Sequence, residues 1–279
     1  MRHVLERGRV WDFEDLPVQS IALDGAVVGP RIDPEQQRYS FDHHGDCLRL
    51  ATRATCEQVL DALRLGLDPT GFTVYLNDLD SDSVLALWLL ENPARSSDPE
   101  VDRLVRAIGA LDAHGPAYPL QDAELCAGLQ RALGGRETVE DCLGRLTRWI
   151  DSGMPPAPLD DPSLAPPSIL DQGTWALVVG EWTSQPGGAA ALYARGWDRL
   201  VLCTPCGPDR WLYTLARRSD LVAGFPIPTL LAELERAENA SGSNTPWGGG
   251  SSIGGGPRAG SRLSPEQVST LIERVLCPA

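Results

Sequence analysis

The chain has 279 residues, 42% hydrophobic and 22% charged, the composition of an ordinary globular protein with one large core or two modest ones. Acids outnumber bases 38 to 24, a net charge of −14. That balance excludes a duplex-DNA binder that relies on a broad basic surface, but not a protein that holds a small phosphorylated ligand in a local pocket.

The first residues, MRHVLERGRVWDFEDLP, carry acids and no apolar core, so neither a signal nor a transit peptide is expected. No run approaches the roughly 18 apolar residues of a membrane helix, and no membrane partner is expected. The seven cysteines, Cys47, Cys56, Cys126, Cys142, Cys203, Cys206 and Cys277, are scattered and read as reduced core thiols. A cytoplasmic protein is the expectation.

Residues 17–23, PVQSIAL, predict a short strand ending at Asp24. Residues 54–66 have the spacing of an amphipathic helix, and FTVYL at 72–76 predicts a buried strand. That strand runs into acids and then into a helix, SVLALWLLE. Further helices are predicted over 99–111 and twice within 123–150.

Residues 152–170 hold six prolines in nineteen positions and mark a linker. It separates a first domain, 1–151, from a second, 171–279. Strands are predicted there over 174–180, 198–204 and 211–217, and a helix over 229–237. Eight of the nineteen residues from Gly242 to Gly260 are glycine. A final helix has Ser264 as N-cap, Pro265 in its first turn and Gln267 completing a capping box. The fold class is α/β: a mostly parallel N-terminal sheet with flanking helices, then a smaller α/β domain with a glycine-rich loop.

Three clusters carry chemistry. Asp78, Asp80 and Asp82 alternate after FTVYL, where like charges repel unless a cation sits among them. A solvated turn with a capping Asp82 or Ser81 is the plainer reading of such a motif alone. FDHHG at 41–45 spends two of the four histidines beside Asp42. Imidazole there suits manganese, iron or zinc, with Asp42 able to bridge two ions; a partly buried His–Asp turn is the plainer alternative. Asp112 and His114 follow a helix, while His3 has no such company. The pair Cys203 and Cys206 lacks the second C-x-x-C of a zinc site and reads as structural. In the glycine stretch, backbone N–H groups can cradle an anion, Arg258 and Arg262 can fork onto phosphate, and Trp247 serves either to stack on a base or to anchor the loop. A flexible linker is the plainer reading.

Together these residues resemble the DHH phosphoesterase superfamily. Asp42-His43-His44 match its name-giving motif, DLDSDSVLALWLL its alternating acidic motif, and Asp112 its later acid. The run from IALDG to FDHHG is similar to a eukaryotic exonuclease branch, which implies a site role for Asp24. WGGGSSIGGGPRAGSR is similar to the glycine-rich loop of the accessory domain, implying substrate binding by Gly249, Gly250, Ser251, Ser252, Gly255, Arg258 and Arg262. Here DHH precedes the alternating acids, the reverse of the common order, and Ser83 stands where the commonest acidic motif has glycine.

The resemblance implies a metal-dependent phosphoesterase with two Mn2+ or Mg2+ ions held by Asp24, Asp42, His43, Asp78, Asp80, Asp82 and Asp112. His44 and His114 would orient the phosphoryl group or protonate the leaving oxygen. The expected partner is a small phosphorylated compound (nucleotide, cyclic dinucleotide or pyrophosphate-like) or a short single-stranded oligonucleotide; a homodimer is compatible with the sequence. A non-catalytic ligand-binding protein of the same fold is the alternative.

Overall fold

The computed structural model describes residues 1–135, 138–159, 167–180, 187–240 and 246–277. The protein is mixed α/β and divides into two compact units, Met1–Pro158 and Leu159–Ala279, each built on its own sheet. No described helix is long and apolar enough to cross a membrane.

In the first unit the elements run β1 (Arg2–Leu5), β2 (Ser20–Leu23), β3 (Arg31–Asp33), β4 (Arg38–Phe41), α1 (Thr55–Arg64), β5 (Thr73–Leu76), α2 (Ser81–Glu91), α3 (Pro99–His114), α4 (Ala123–Leu133) and α5 (Val139–Asp151). The sheet order is β1-β5-β2-β4-β3; all neighbours are parallel except the edge pair β3–β4. Side chains alternate across the sheet. Ile21, Leu23, Val74 and Leu76 face one core with all five helices, while Ala22 and Tyr75 face a smaller core closed by Trp11, Phe13 and Leu16. Helix α2 is apolar on every side and buried from Ser81 to Leu90, so it forms the centre of the helical layer.

The second unit contains β6 (Ser168–Asp171), β7 (Ala176–Val179), α6 (Gly188–Ala194), β8 (Arg199–Gly207), β9 (Arg210–Arg217), α7 (Ile227–Ala240), β10 (Gly248–Gly249), β11 (Ile253–Gly255) and α8 (Pro265–Leu276). Its sheet order is β10-β11-β9-β8-β7-β6, with only β7–β8 parallel. Helices α7 and α8 cover the face bearing Leu177, Val201, Tyr213 and Leu215. The capping box at Ser264 and Gln267 is present.

Much of the stretch 152–170 is folded rather than a free linker. Met154 is buried in the first core, Trp149 Nε1 donates to Pro155 O at 3.2 Å, and Ala157 N donates to Glu124 O at 2.9 Å. Strand β6 begins at Ser168. Residues 160–166 of the stretch lie outside the described residues, as do 241–245 of the glycine-rich segment.

Candidate metal centre

Strands β5, β2 and β4 are parallel neighbours, with Ala22 beside Tyr75 and Leu23 beside Phe41. Their carboxyl ends deliver Asp78–Asp80, Asp24 and Asp42-His43-His44 to one edge, where such sheets place ligands. The order of motifs along the chain therefore does not prevent their convergence, because strand order in space differs from strand order in sequence. Asp112 arrives from the last turn of α3. Asp24 and Gly25 have φ values of +51° and +76°, and Ala26 N donates to Leu23 O at 3.1 Å, the pattern of a type I′ turn. Asn77 Nδ2 steadies that turn through Gly25 O at 2.8 Å.

His43 is fully buried. Its Nε2 lies 2.6 Å from Asp112 Oδ2, 3.6 Å from Asp24 Oδ1 and 4.0 Å from Asp82 Oδ2. Nε2 is thus in ion-pair contact with Asp112, while Nδ1 has no hydrogen-bond partner among the described residues. Buried polar atoms rarely go unsatisfied, and an imidazole nitrogen among carboxylates is a suitable ligand for a divalent cation. One ligand atom from each of Asp24, His43, His44 and Asp112 falls within 4.8 Å of all the others. Burial opposes protonation of His43, but the Asp112 and Asp24 carboxylates outweigh it and raise its pKa to about 10. Burial likewise opposes ionisation of Asp24, yet His43, His44 and the Ser83 hydroxyl hold its carboxyl down at about 2.

Asp42, the expected bridging ligand, has both oxygens hydrogen-bonded within its own loop. Its Oδ2 accepts Gly29 N at 2.8 Å, and its Oδ1 accepts both His44 N and His44 Nδ1 at 3.0 Å. The carboxylate thus shapes the loop and orients the His44 ring. Burial opposes it, but these donors keep the Asp42 pKa below the usual value. His44 gains the converse: against burial, Asp42 and Asp24 raise its pKa.

The three alternating acids separate. Asp78 pairs with Arg7, accepting its Nη1 at 3.0 Å, and also accepts Leu79 N at 2.8 Å. Asp80 is the N-cap of α2, accepting Ser83 N at 2.8 Å. Burial and the charges of Asp24, Asp112 and Asp82 push its pKa well up. Asp82 accepts Thr55 N at 2.8 Å and Cys56 N at 2.9 Å, so it caps α1 from a neighbouring helix. Burial, then Asp24 and Asp112, push its pKa up to about 7.

His114 packs its ring on Tyr118, with centroids 4.5 Å apart, and stands outside the four-residue group. The glycine-rich residues belong to the second unit. Gly249 and Gly255 lie in a hairpin of β10 and β11 that pairs with β9, and Gly250, Ser251 and Ser252 form its turn. Trp247 is buried and stacks on Tyr213 at 5.7 Å, which makes it an anchor rather than an exposed base platform. Arg258 and Arg262 are exposed, and the Arg262 backbone N–H donates to buried Glu238 at 3.1 Å. Cys203 is buried and Cys206 exposed on β8; three residues apart on a strand, they face opposite sides.

Three side chains at the site are given no role by the sequence reading. Ser83 Oγ donates to Asp24 Oδ2 at 2.8 Å, and Thr55 Oγ1 donates to Asp24 Oδ1 at 3.1 Å. Arg49 Nη2 donates to Asp112 O at 2.7 Å and approaches its Oδ2 at 3.4 Å. For Ser83 a signal existed, since a hydroxyl replaces glycine inside an acidic motif. No protein-family model matches the sequence, and no curated protein does either.

Proposed function

We propose that the first unit is a divalent-cation-dependent phosphoesterase acting on a small phosphorylated substrate, of the kind the DHH resemblance implies. The observation that carries this reading is the convergence at His43: a fully buried imidazole with the carboxylates of Asp112, Asp24 and Asp82 around Nε2, and one ligand atom each of Asp24, His43, His44 and Asp112 within 4.8 Å of one another. Asp24, His43 and Asp112 would hold one Mn2+ or Mg2+ ion, and Asp80 and Asp82 would contribute to a second. Such ions supply Lewis-acid activation of water and neutralise phosphoryl charge.

The remaining residues have distinct tasks. Asp42 takes the His44 Nδ1 proton side, which leaves His44 Nε2 to hold a proton for the leaving oxygen. Thr55 and Ser83 fix the Asp24 carboxylate by its two oxygens. The non-catalytic alternative draws on one specific observation: Asp42 and Asp82 spend oxygens on backbone amides, leaving fewer carboxylate positions for ions than the sequence promised.

Manganese-dependent hydrolysis of a bis-aryl phosphate and a panel of nucleotides separates the two. Turnover with stoichiometric manganese, abolished in Asp112→Ala, supports the enzyme. Stoichiometric manganese with no phosphoester cleaved favours the binding protein, and failure to bind manganese ends both metal readings.

A further inference from the structure

Arg49 sits on a built turn between the DHH stretch and α1. Ala51 N and Thr52 N donate to Leu48 O at 2.8 and 3.0 Å, Thr52 N also reaches Arg49 O at 3.3 Å, and the Thr52 hydroxyl closes on Leu48 O at 3.0 Å. From that turn the guanidinium reaches the end of α3, where Nη2 donates to the main-chain oxygen of Asp112 at 2.7 Å. A main-chain anchor holds whatever the state of the Asp112 carboxylate, 3.4 Å away. Among the described residues, Nε and Nη1 have no partner, so two donor positions of the fork are uncommitted.

The surroundings point in one direction. His43 is fully enclosed, whereas the side chains of His44, Arg49 and Asp112 are 38%, 25% and 24% exposed, so these three make the solvent-facing side of the cluster. The positive charge of Arg49 reaches both histidines. The neighbouring basic residue, Arg53, turns outward to Asp61. A planar guanidinium anchored by one nitrogen beside an acidic metal-type cluster suits an anion that bridges arginine and cation.

We infer that Arg49 is the phosphate-binding residue of this site, capturing a phosphoryl oxygen through its free donors while Asp112 O holds it in place. The inference rests on the phosphoryl-transfer reading above, and it places anion capture in the first unit.

The test uses the full-length protein with inorganic phosphate as probe, titrated with and without manganese. Manganese affinity is measured separately by calorimetry on wild type, Arg49→Ala and Arg49→Lys. Arg49→Ala is expected to weaken phosphate binding roughly ten- to hundred-fold, Arg49→Lys to recover part of the loss, and manganese affinity to stay level or rise. Unchanged phosphate affinity in Arg49→Ala, or phosphate binding by wild type in neither condition, overturns the proposal. A parallel loss of manganese affinity also overturns it, since Arg49 would then be a support for Asp112. If wild type binds phosphate but no manganese, the metal reading fails alone, and the metal-free titrations still decide Arg49.

Discussion

The hydroxyl of Ser83 donates to Asp24 Oδ2 at 2.8 Å, across a boundary between the β2 turn and the first turn of α2. A glycine at 83 would leave that oxygen without its donor, and Thr55 would hold the carboxylate from one side only. Ser83→Gly and Ser83→Ala should therefore weaken manganese binding about ten-fold or more, the usual scale for losing such a support, and should also lower the stability of the metal-free protein by about 1–3 kcal/mol, since a buried carboxylate oxygen loses its donor. Calorimetric titration of manganese checks it; equal affinities would mean that Asp24 is oriented without the hydroxyl.

Asp82 is expected to matter for folding before it matters for metal. Its two oxygens hold the first amides of α1, Thr55 N and Cys56 N, in a buried setting. Asp82→Ala leaves both donors unsatisfied and should cost about 1–3 kcal/mol. Asp82→Asn keeps an acceptor and removes a buried charge, so it should unfold at a higher temperature than Asp82→Ala. The reverse ranking in a melting comparison would show that the charge itself, not the cap, is what α1 needs.

Local signals were legible wherever one segment decides its own structure. The amphipathic pattern at 54–66, the apolar run FTVYL and the Ser264 capping box became α1, β5 and the start of α8 with small shifts at their ends. The short strands β1, β3 and β4 were missed, because RHVL, RID and RYSF acquire strand character only from their neighbours in the sheet. The same limit governs the site. His43 and Asp112 were named from their residue types, and Asp24 from the family resemblance of the run that leads to FDHHG. The division of labour among the acids depends on which amides and cations lie nearby, and no spacing encodes that. Asp78 meets Arg7, 71 residues away, and Asp82 meets α1.

Stability of the metal-free protein should fall as pH rises from about 5 to 9. Asp82 has a folded pKa of about 7 against 3.8, so its contribution is complete below 3.8 and is lost as pH climbs through 7. His43, raised to about 10 from 6.5, contributes fully below 6.5 and loses its share as pH approaches 10. Asp80 and His44 shift in the same direction. Asp24 is depressed to about 2, so its contribution is already complete above 3.8 and is flat across this range. Manganese must displace the same protons, so its affinity should rise with pH and its presence should flatten the profile. Melting temperatures with and without manganese test this; a metal-free profile that rises from pH 5 to 9 contradicts the arrangement of charges.

The glycines of the second unit distinguish a packed hairpin from an anion cradle. A methyl group at Gly255 would come 2.7 Å from Tyr213 O, a backbone atom of the neighbouring strand that cannot step aside. At Gly249 it would come 2.2 Å from Gly254 Cα, with φ at +153°. At Gly250 the nearest atom is Ile253 O at 3.8 Å, ordinary contact distance. Packing therefore predicts that Gly255→Ala and Gly249→Ala destabilise the unit by about 1–3 kcal/mol or more, and that Gly250→Ala is nearly neutral. An anion cradle predicts a different ranking, because a methyl at the hairpin turn would obstruct a ligand while leaving the fold intact. Chemical denaturation and phosphate titration of the three variants read the two quantities separately. Weakened phosphate binding in Gly250→Ala at unchanged stability would return the loop to substrate recognition. Loss of stability in Gly255→Ala with native phosphate affinity would assign these glycines to β-sheet packing, where Trp247 and Tyr213 already hold the hairpin in place.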